Sequence, residues 1–262
     1  MARKRAGTTL TSRPPAHVPR RGDRFDRRPV TMPPSLPPHP PEPWHLRGDM
    51  RAALWLVPRY GPPPWPLPEG ARAVSLAGRT PLVTFWVDYG DGGDLAYREL
   101  LVAVVVRRGA GLAATAVQVW VDDERSLAGG RHLWAIPKEP AAFDFRPLPP
   151  ARPPRRGVRA TMTVEAAGRR EPDAVALCRD LLRLPLRLSV RAHLLQPRAD
   201  GTTCRVPLRL TGRPSLSRIR TRVHPEGPLA YLTGHRPVAA VSLADFRFRI
   251  GPAVTSGEVT AP

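Results

Sequence analysis

From Trp44 onward the chain is written in short apolar runs that alternate with a period of two. Thr84–Tyr89 is one such run. Leu100–Arg108 is another, with Val102, Val104 and Val106 on one face. Thr115–Val121 alternates through Val117, Val119 and Val121, and Val158, Ala160, Met162 and Val164 repeat the pattern. Leu186, Leu188 and Val190, then Val206, Leu208 and Leu210, do the same, and Ala239–Ile250 closes the series. Gly, Pro, Asp and Arg separate the runs. Alternation of this kind predicts strands, and many short strands predict a barrel or a sandwich. Helical signal is thin. Ser126 reads as the cap of a short helix over Leu127–Trp134, which Gly129 and Gly130 weaken. Asp173 reads as the cap of a second helix over Ala174–Leu184, stopped by Pro185. Pro147–Arg156 reads as an extended loop.

Residues 1–40 break this pattern. They carry Arg3, Lys4, Arg5, Arg13, Arg20, Arg21, Arg24, Arg27 and Arg28 against Asp23 and Asp26, followed by a run of prolines. Such a segment has too little apolar surface to offset the entropy of ordering it. It is expected to be a disordered basic tail, with one domain over 41–252 and a flexible end at 253–262. The length of 262 residues suits one well-packed domain.

Charge changes the picture less than its size suggests. The formal net charge is +19, and 39 of the 41 basic residues are arginine. Arg, Pro, Ala and Gly are enriched together, as a GC-rich coding bias produces. The tail accounts for a net +7 and leaves +12 spread diffusely over the remainder. Nucleic-acid contact by the tail is one reading of this charge. No helix-turn-helix pattern, zinc spacing or basic–aromatic interleaving supports it as the function. The longest apolar run, Leu100–Val106, is far short of a membrane span. Cys178 and Cys204 fit no metal-ligand spacing, and no apolar leader follows the charged start. A reduced, cytoplasmic protein without metal or cofactor is the expectation.

The candidate chemistry rests on one lysine. Lysine occurs only at Lys4 and Lys138, so the domain has a single primary amine. Arginine serves every generic use of positive charge here, but a guanidinium cannot become a neutral nucleophile near pH 7. Trp134, Ile136 and Pro137 give Lys138 an apolar approach. Burial disfavours ammonium and so favours the free amine that attacks a ketone. The alternative is a lysine codon that escaped drift.

The segment from Gly129 to Lys138, Gly-Gly-Arg-His-Leu-Trp-Ala-Ile-Pro-Lys, resembles the active-site segment of acetoacetate decarboxylases, in which Gly-Arg-Glu leads into Tyr-Pro-Lys. Trp44-His-Leu-Arg47 resembles the family's N-terminal His-x-Arg segment. Tyr89-Gly-Asp-Gly-Gly, Tyr97-Arg-Glu99 and the terminal Ala244-Asp-Phe-Arg-Phe-Arg-Ile-Gly follow in order, so the resemblance spans residues 42–252. It implies a closed, strongly curved antiparallel β-barrel with a few short helices, and a homo-oligomer. It implies that Lys138 forms a Schiff base with a small keto acid, that Arg47 holds the substrate carboxylate, and that Asp91, or in reserve Glu99, moves protons. Activated lysines in hydrophobic sites are known, acetoacetate decarboxylase being the standing example. Trp86, Tyr97 and Trp134 are candidate substrate contacts; the tryptophans are equally candidate core residues.

One departure bears on the chemistry. The family places a second lysine directly after the nucleophile, and here that residue is Glu139. A carboxylate beside the amine favours ammonium, unless strand alternation turns Glu139 to the opposite face. Decarboxylation and aldol or dehydration chemistry through the same iminium therefore both stand. So does a non-catalytic small-molecule-binding barrel.

Overall fold

A computed structural model describes residues 37–58, 65–149, 156–164 and 171–255. The expected tail lies, through residue 36, outside the described residues, as do most of the loop expected at 147–156 and of the end at 253–262. The elements in chain order are β1 (Trp44–Pro58), β2 (Ala71–Ala73), β3 (Arg79–Tyr89), β4 (Tyr97–Arg108), β5 (Gly111–Val121), α1 (Glu124–Trp134), β6 (Lys138–Pro140), β7 (Ala142–Pro147), β8 (Gly157–Thr163), β9 (Ala174–Arg183), β10 (Leu188–Pro197), β11 (Thr203–Val223), β12 (Ala239–Ile250) and β13 (Val254–Thr255). A short 3-10 turn at Ala230–Leu232 precedes β12.

The strands run β10-β5-β4-β3-β1-β12-β11, and β11 pairs back onto β10, so seven strands close a ring. All pairings around the ring are antiparallel except β10 with β5, a parallel seam of the single pair Leu194–Ala114. Side chains stitch that seam: Thr115 Oγ1 donates to the Leu195 carbonyl at 2.9 Å and Gln196 Nε2 to the Ala116 carbonyl at 3.3 Å. The long β11 carries the rest of the fold. Its first half pairs with β10 and its second half with β9, which leads on to β8 and β7.

Alternation sorts the side chains of the ring into two cores. On β4, Leu100, Val102, Val104 and Val106 join Leu82, Trp86, Trp55 and Val57 in a core shared with Ala160, Met162, Ala174 and Ala176 of β8 and β9. Tyr97, Glu99, Leu101, Ala103 and Val105, one residue out of phase, face the inside of the ring with Val83, Phe85, Val87 and Tyr89 of β3. Strands covered on both faces read as continuous apolar runs, which is why Leu100–Val106 is the most hydrophobic stretch of the chain.

Two helix expectations are corrected. The segment after Asp173 is strand β9, not helix, and it buries Ala174, Ala176 and Cys178 at a period of two between β8 and β11. Buried Asp173 caps no helix; its carboxylate accepts from the Val164 N–H at 2.8 Å. The helix near Leu127 exists, but its N-cap is Asp123, whose side chain accepts from the Ser126 N–H at 2.7 Å. Ser126 is thereby freed for another contact. Among the described residues no helix is long and apolar enough to cross a membrane.

Candidate active site

α1 and β6 together deliver the lysine. The helix ends at Ala135 in the left-handed conformation (φ 53°), with its N–H bonded back to the helix carbonyls. The chain then turns through Ile136 and Pro137 so that Lys138 pairs, in parallel, with Val119 of β5. Arg131 Nε grips the Lys138 carbonyl at 2.6 Å and fixes the backbone there. Lys138 is 3% exposed, while its neighbour Glu139 is exposed on the other face of the strand. The departure at position 139 therefore does not reach the amine.

One helix glycine, Gly130, makes room for it, and its neighbour Gly129 makes room for Trp44. A Cβ at Gly130 would stand 2.6 Å from Lys138 Cδ and Cε, and one at Gly129 would run into the Trp44 ring. Ser126 and Gly130 are spaced i, i+4, so they share the helix face that covers the lysine. Gly130 weakens the helix, and in exchange the lysine stem lies against the helix backbone.

The ammonium-bearing end meets three oxygens. Lys138 Nζ is 2.9 Å from Glu99 Oε2, 2.8 Å from Ser126 Oγ and 3.3 Å from the Tyr97 hydroxyl. Three acceptors match the three N–H donors of an ammonium. Tyr97 also places its ring under the amine, with 4.9 Å from Nζ to the centroid, and its hydroxyl stands 3.4 Å from Glu99 Oε2. Tyr89 packs on Tyr97 at 4.5 Å. Burial, then the nearby Glu99 carboxylate, holds both phenols well above the ordinary tyrosine range. They are neutral donors at any physiological pH.

This cluster closes one end of a cavity of about 540 Å³ inside the ring. Apart from Arg191 and His193 of β10, the remaining wall is apolar: Leu46 and Met50 of β1, Val83, Phe85 and Val87 of β3, Leu101, Ala103 and Val105 of β4, Leu208 and Leu210 of β11, and Phe246 and Phe248 of β12. Among the described residues no cluster of His, Cys, Asp and Glu is placed to hold a metal ion.

The structure gathers some of the sequence candidates and disperses others. Glu99, Tyr97 and Trp134 line the cavity with Lys138. Trp134 packs edge-on against Trp44 at 4.6 Å and donates from Nε1 to Glu42 at 2.6 Å, so it is wall and anchor at once. Trp86 lies on the opposite face of β3, in the other core against Phe145. Arg47 follows the cavity-lining Leu46 and so points out of the ring; it pairs with Asp245 at 2.9 Å. Asp91 is exposed and shares a shallow outer groove with Arg47. Neither reaches the amine. Ser126 was missed as a site residue because its type also suits a cap; its place on the Gly130 face was the available signal.

The acetoacetate decarboxylase family model matches residues 67–172, the stretch that contains Tyr97, Glu99, Ser126 and Lys138. That match covers less than half of the chain. Solved structures share its fold. An acetoacetate decarboxylase from Legionella pneumophila aligns with a TM-score of 0.62 at 14% identity, over 89% of this chain and 94% of that one. An acetoacetate decarboxylase-like enzyme from Sphingomonas wittichii RW1 aligns at 0.54 and 19% identity, over 86% and 98%. The enduracididine biosynthesis enzyme MppR, in complex with pyruvate, aligns at 0.58 and 13% identity, over 84% and 93%. No curated protein matches the chain. These neighbours are enzymes, and the β-rich ring of the acetoacetate decarboxylase-like fold is common to them and to this chain.

Proposed function

We propose that the chain is a Schiff-base-forming lyase in which Lys138 attacks the ketone of a keto acid. The observation that carries this reading is the placement of one buried amine against Glu99, Ser126 and Tyr97 at the end of an apolar cavity. Generic basic residues have no reason to be there, and a buried charge that is neither surface nor packing is a functional-site signal.

The steps follow from the geometry. Glu99 takes a proton from Nζ along the existing 2.9 Å contact, leaving the amine lone pair free. Nζ then bonds to the keto carbon. The carbonyl oxygen takes back the proton held by Glu99 and a second one from the nitrogen, with the neutral Tyr97 phenol placed to donate a hydrogen bond to it. Loss of water leaves a C=N iminium. In a 3-keto acid, the electrons of the bond to the carboxylate flow into the iminium and carbon dioxide departs. The enamine carbon takes a proton from an entering water by way of the Glu99 carboxylate, and the hydroxide left behind adds to the iminium carbon and releases the ketone product and the Lys138 amine.

Two features favour decarboxylation over other fates of the iminium. A substrate carboxylate held in an apolar cavity is stripped of water, and Glu99 adds like-charge repulsion. Both raise its energy relative to neutral carbon dioxide. An aldol outcome uses the same iminium and needs a second carbonyl partner in the cavity, and dehydration needs a hydroxyl on the substrate that can leave as water.

The ion pair itself favours a second reading. Lys138 and Glu99 satisfy each other, as in a barrel that binds ligands without reacting. Carbon dioxide release from 3-oxo acids, abolished by Lys138→Met, separates the two. Ligand binding by both the wild type and Lys138→Met, with no gas evolved, decides for the binding barrel.

A further inference from the structure

The cavity is too large and too apolar for its reactive end to be its only function. Its volume of about 540 Å³ falls in the range of roughly 300–1,000 Å³ that encloses drug-sized ligands. At ~30 Å³ per water-sized group it has room for about eighteen such groups. A molecule the size of pyruvate or acetoacetate fills a fraction of it.

The shape is long. Lys138 stands opposite Val119 on β5, and the same cavity reaches Leu112, seven residues back along that strand. At ~3.3 Å per residue this is a path of about 23 Å. Ala103 and Ala114 line the path with small side chains. At the far end Leu112 is 63% exposed and Val190 37% exposed, so apolar wall continues to the mouth. Arg191, the one arginine of the lining, is on β10 at that end, away from the amine, and makes no ion pair among the described residues.

We infer that the substrate is a 3-keto acid with a long aliphatic chain, its ketone at Lys138 and its tail running past Ala103 and Ala114 to the mouth at Leu112. This rests on the Schiff-base reading for the reactive end and on the cavity alone for the tail. Each methylene buried along the wall tightens binding roughly fourfold, so a medium-length chain outweighs acetoacetate by several orders of magnitude.

The test is a chain-length series with borohydride trapping at limiting concentration. Acetoacetate, 3-oxooctanoate and 3-oxododecanoate are compared for mass added at Lys138, and dodecan-2-one binding to the unreduced protein is measured by calorimetry. The expected result is preferential trapping of 3-oxododecanoate, at least 100-fold over acetoacetate. Ala103→Phe should remove that preference while acetoacetate is still trapped; Leu112→Arg, at the exposed mouth, should weaken it without disturbing the core. Equal trapping of all three acids overturns the long-chain substrate and leaves the Schiff-base reading intact. Dodecan-2-one bound without any trapping upholds the tail site and removes the Schiff base. Neither trapping nor binding removes both.

Discussion

Lys138 and Glu99 form an ion pair at 2.9 Å with both side chains buried, 3% and 6% exposed. Such a pair is weak evidence for stability, because its attraction is set against the loss of water from two charges. Removing one partner is different, since it strands the other charge. Glu99→Gln is expected to destabilise the fold by about 3–5 kcal/mol and to lower turnover about 10²–10⁴-fold, the usual contribution of a positioned acid–base group. The double variant Lys138→Met/Glu99→Leu is expected to recover most of the stability and none of the activity. Denaturant unfolding of the wild type, Lys138→Met, Glu99→Leu and the double variant in a double-mutant cycle checks this.

Gly130 sets a conflict between helix and site. Ala in place of Gly in a helix interior is ordinarily worth about 1 kcal/mol. Here the new Cβ would sit 2.6 Å from the Lys138 stem. Gly130→Ala is therefore expected to lose stability instead of gaining it, and to cut trapping at Lys138 more than tenfold by displacing the amine. Thermal unfolding and trapping yield, measured on the same sample, check both.

The phenols give a pH dependence with a definite sign. Burial holds Tyr89, Tyr97 and Tyr231 above the ordinary tyrosine value of 10.0. The unfolded chain therefore releases these protons first, and the folded state holds more protons above that pH. Stability is unaffected below about pH 10 and falls above it, by up to about 1.4 kcal/mol per pH unit for each group. Phenolate absorbance at these three positions is expected to appear together with alkaline unfolding, not before it. Ultraviolet titration beside circular dichroism tests this.

Arg47 and Asp91 lie on the outside of the ring. Arg47→Ala and Asp91→Asn are expected to leave trapping at Lys138 within about twofold of the wild type. Surface substitutions of this kind usually change stability by no more than about 0.5 kcal/mol. A tenfold loss of trapping in either variant would return the outer groove to the chemistry.

How far the sequence could be read depends on which faces were at stake. Lys138 stood out because no other amine competes with it. The β-rich class was legible because Val102, Val104 and Val106 alternate cleanly. β9 misled for a physical reason. Ala174, Leu177, Cys178, Leu181 and Leu182 also fit helical spacing, and only the neighbouring strands decide otherwise. The structure exposes Leu177, Leu181 and Leu182 and buries Ala174, Ala176 and Cys178. Trp86 and Trp134 illustrate the same limit at the site. Both are large and buried, and only the curvature of the ring assigns one to the outer core and the other to the cavity. Arg47 was carried by a resemblance in type, while the phase of β1 turns it outward beside Leu46. The closure of β10 on β5 through one residue pair left no pattern to find.

The most direct measurement uses the scarcity of lysine. The chain has only Lys4 and Lys138, so reduction with borohydride in the presence of a 3-oxo acid, followed by peptide mass mapping, locates any Schiff base without ambiguity. The account predicts one increment, on the peptide carrying Lys138, absent from Lys138→Met. An unmodified Lys138 across short and long keto acids, or an increment confined to Lys4, would contradict it.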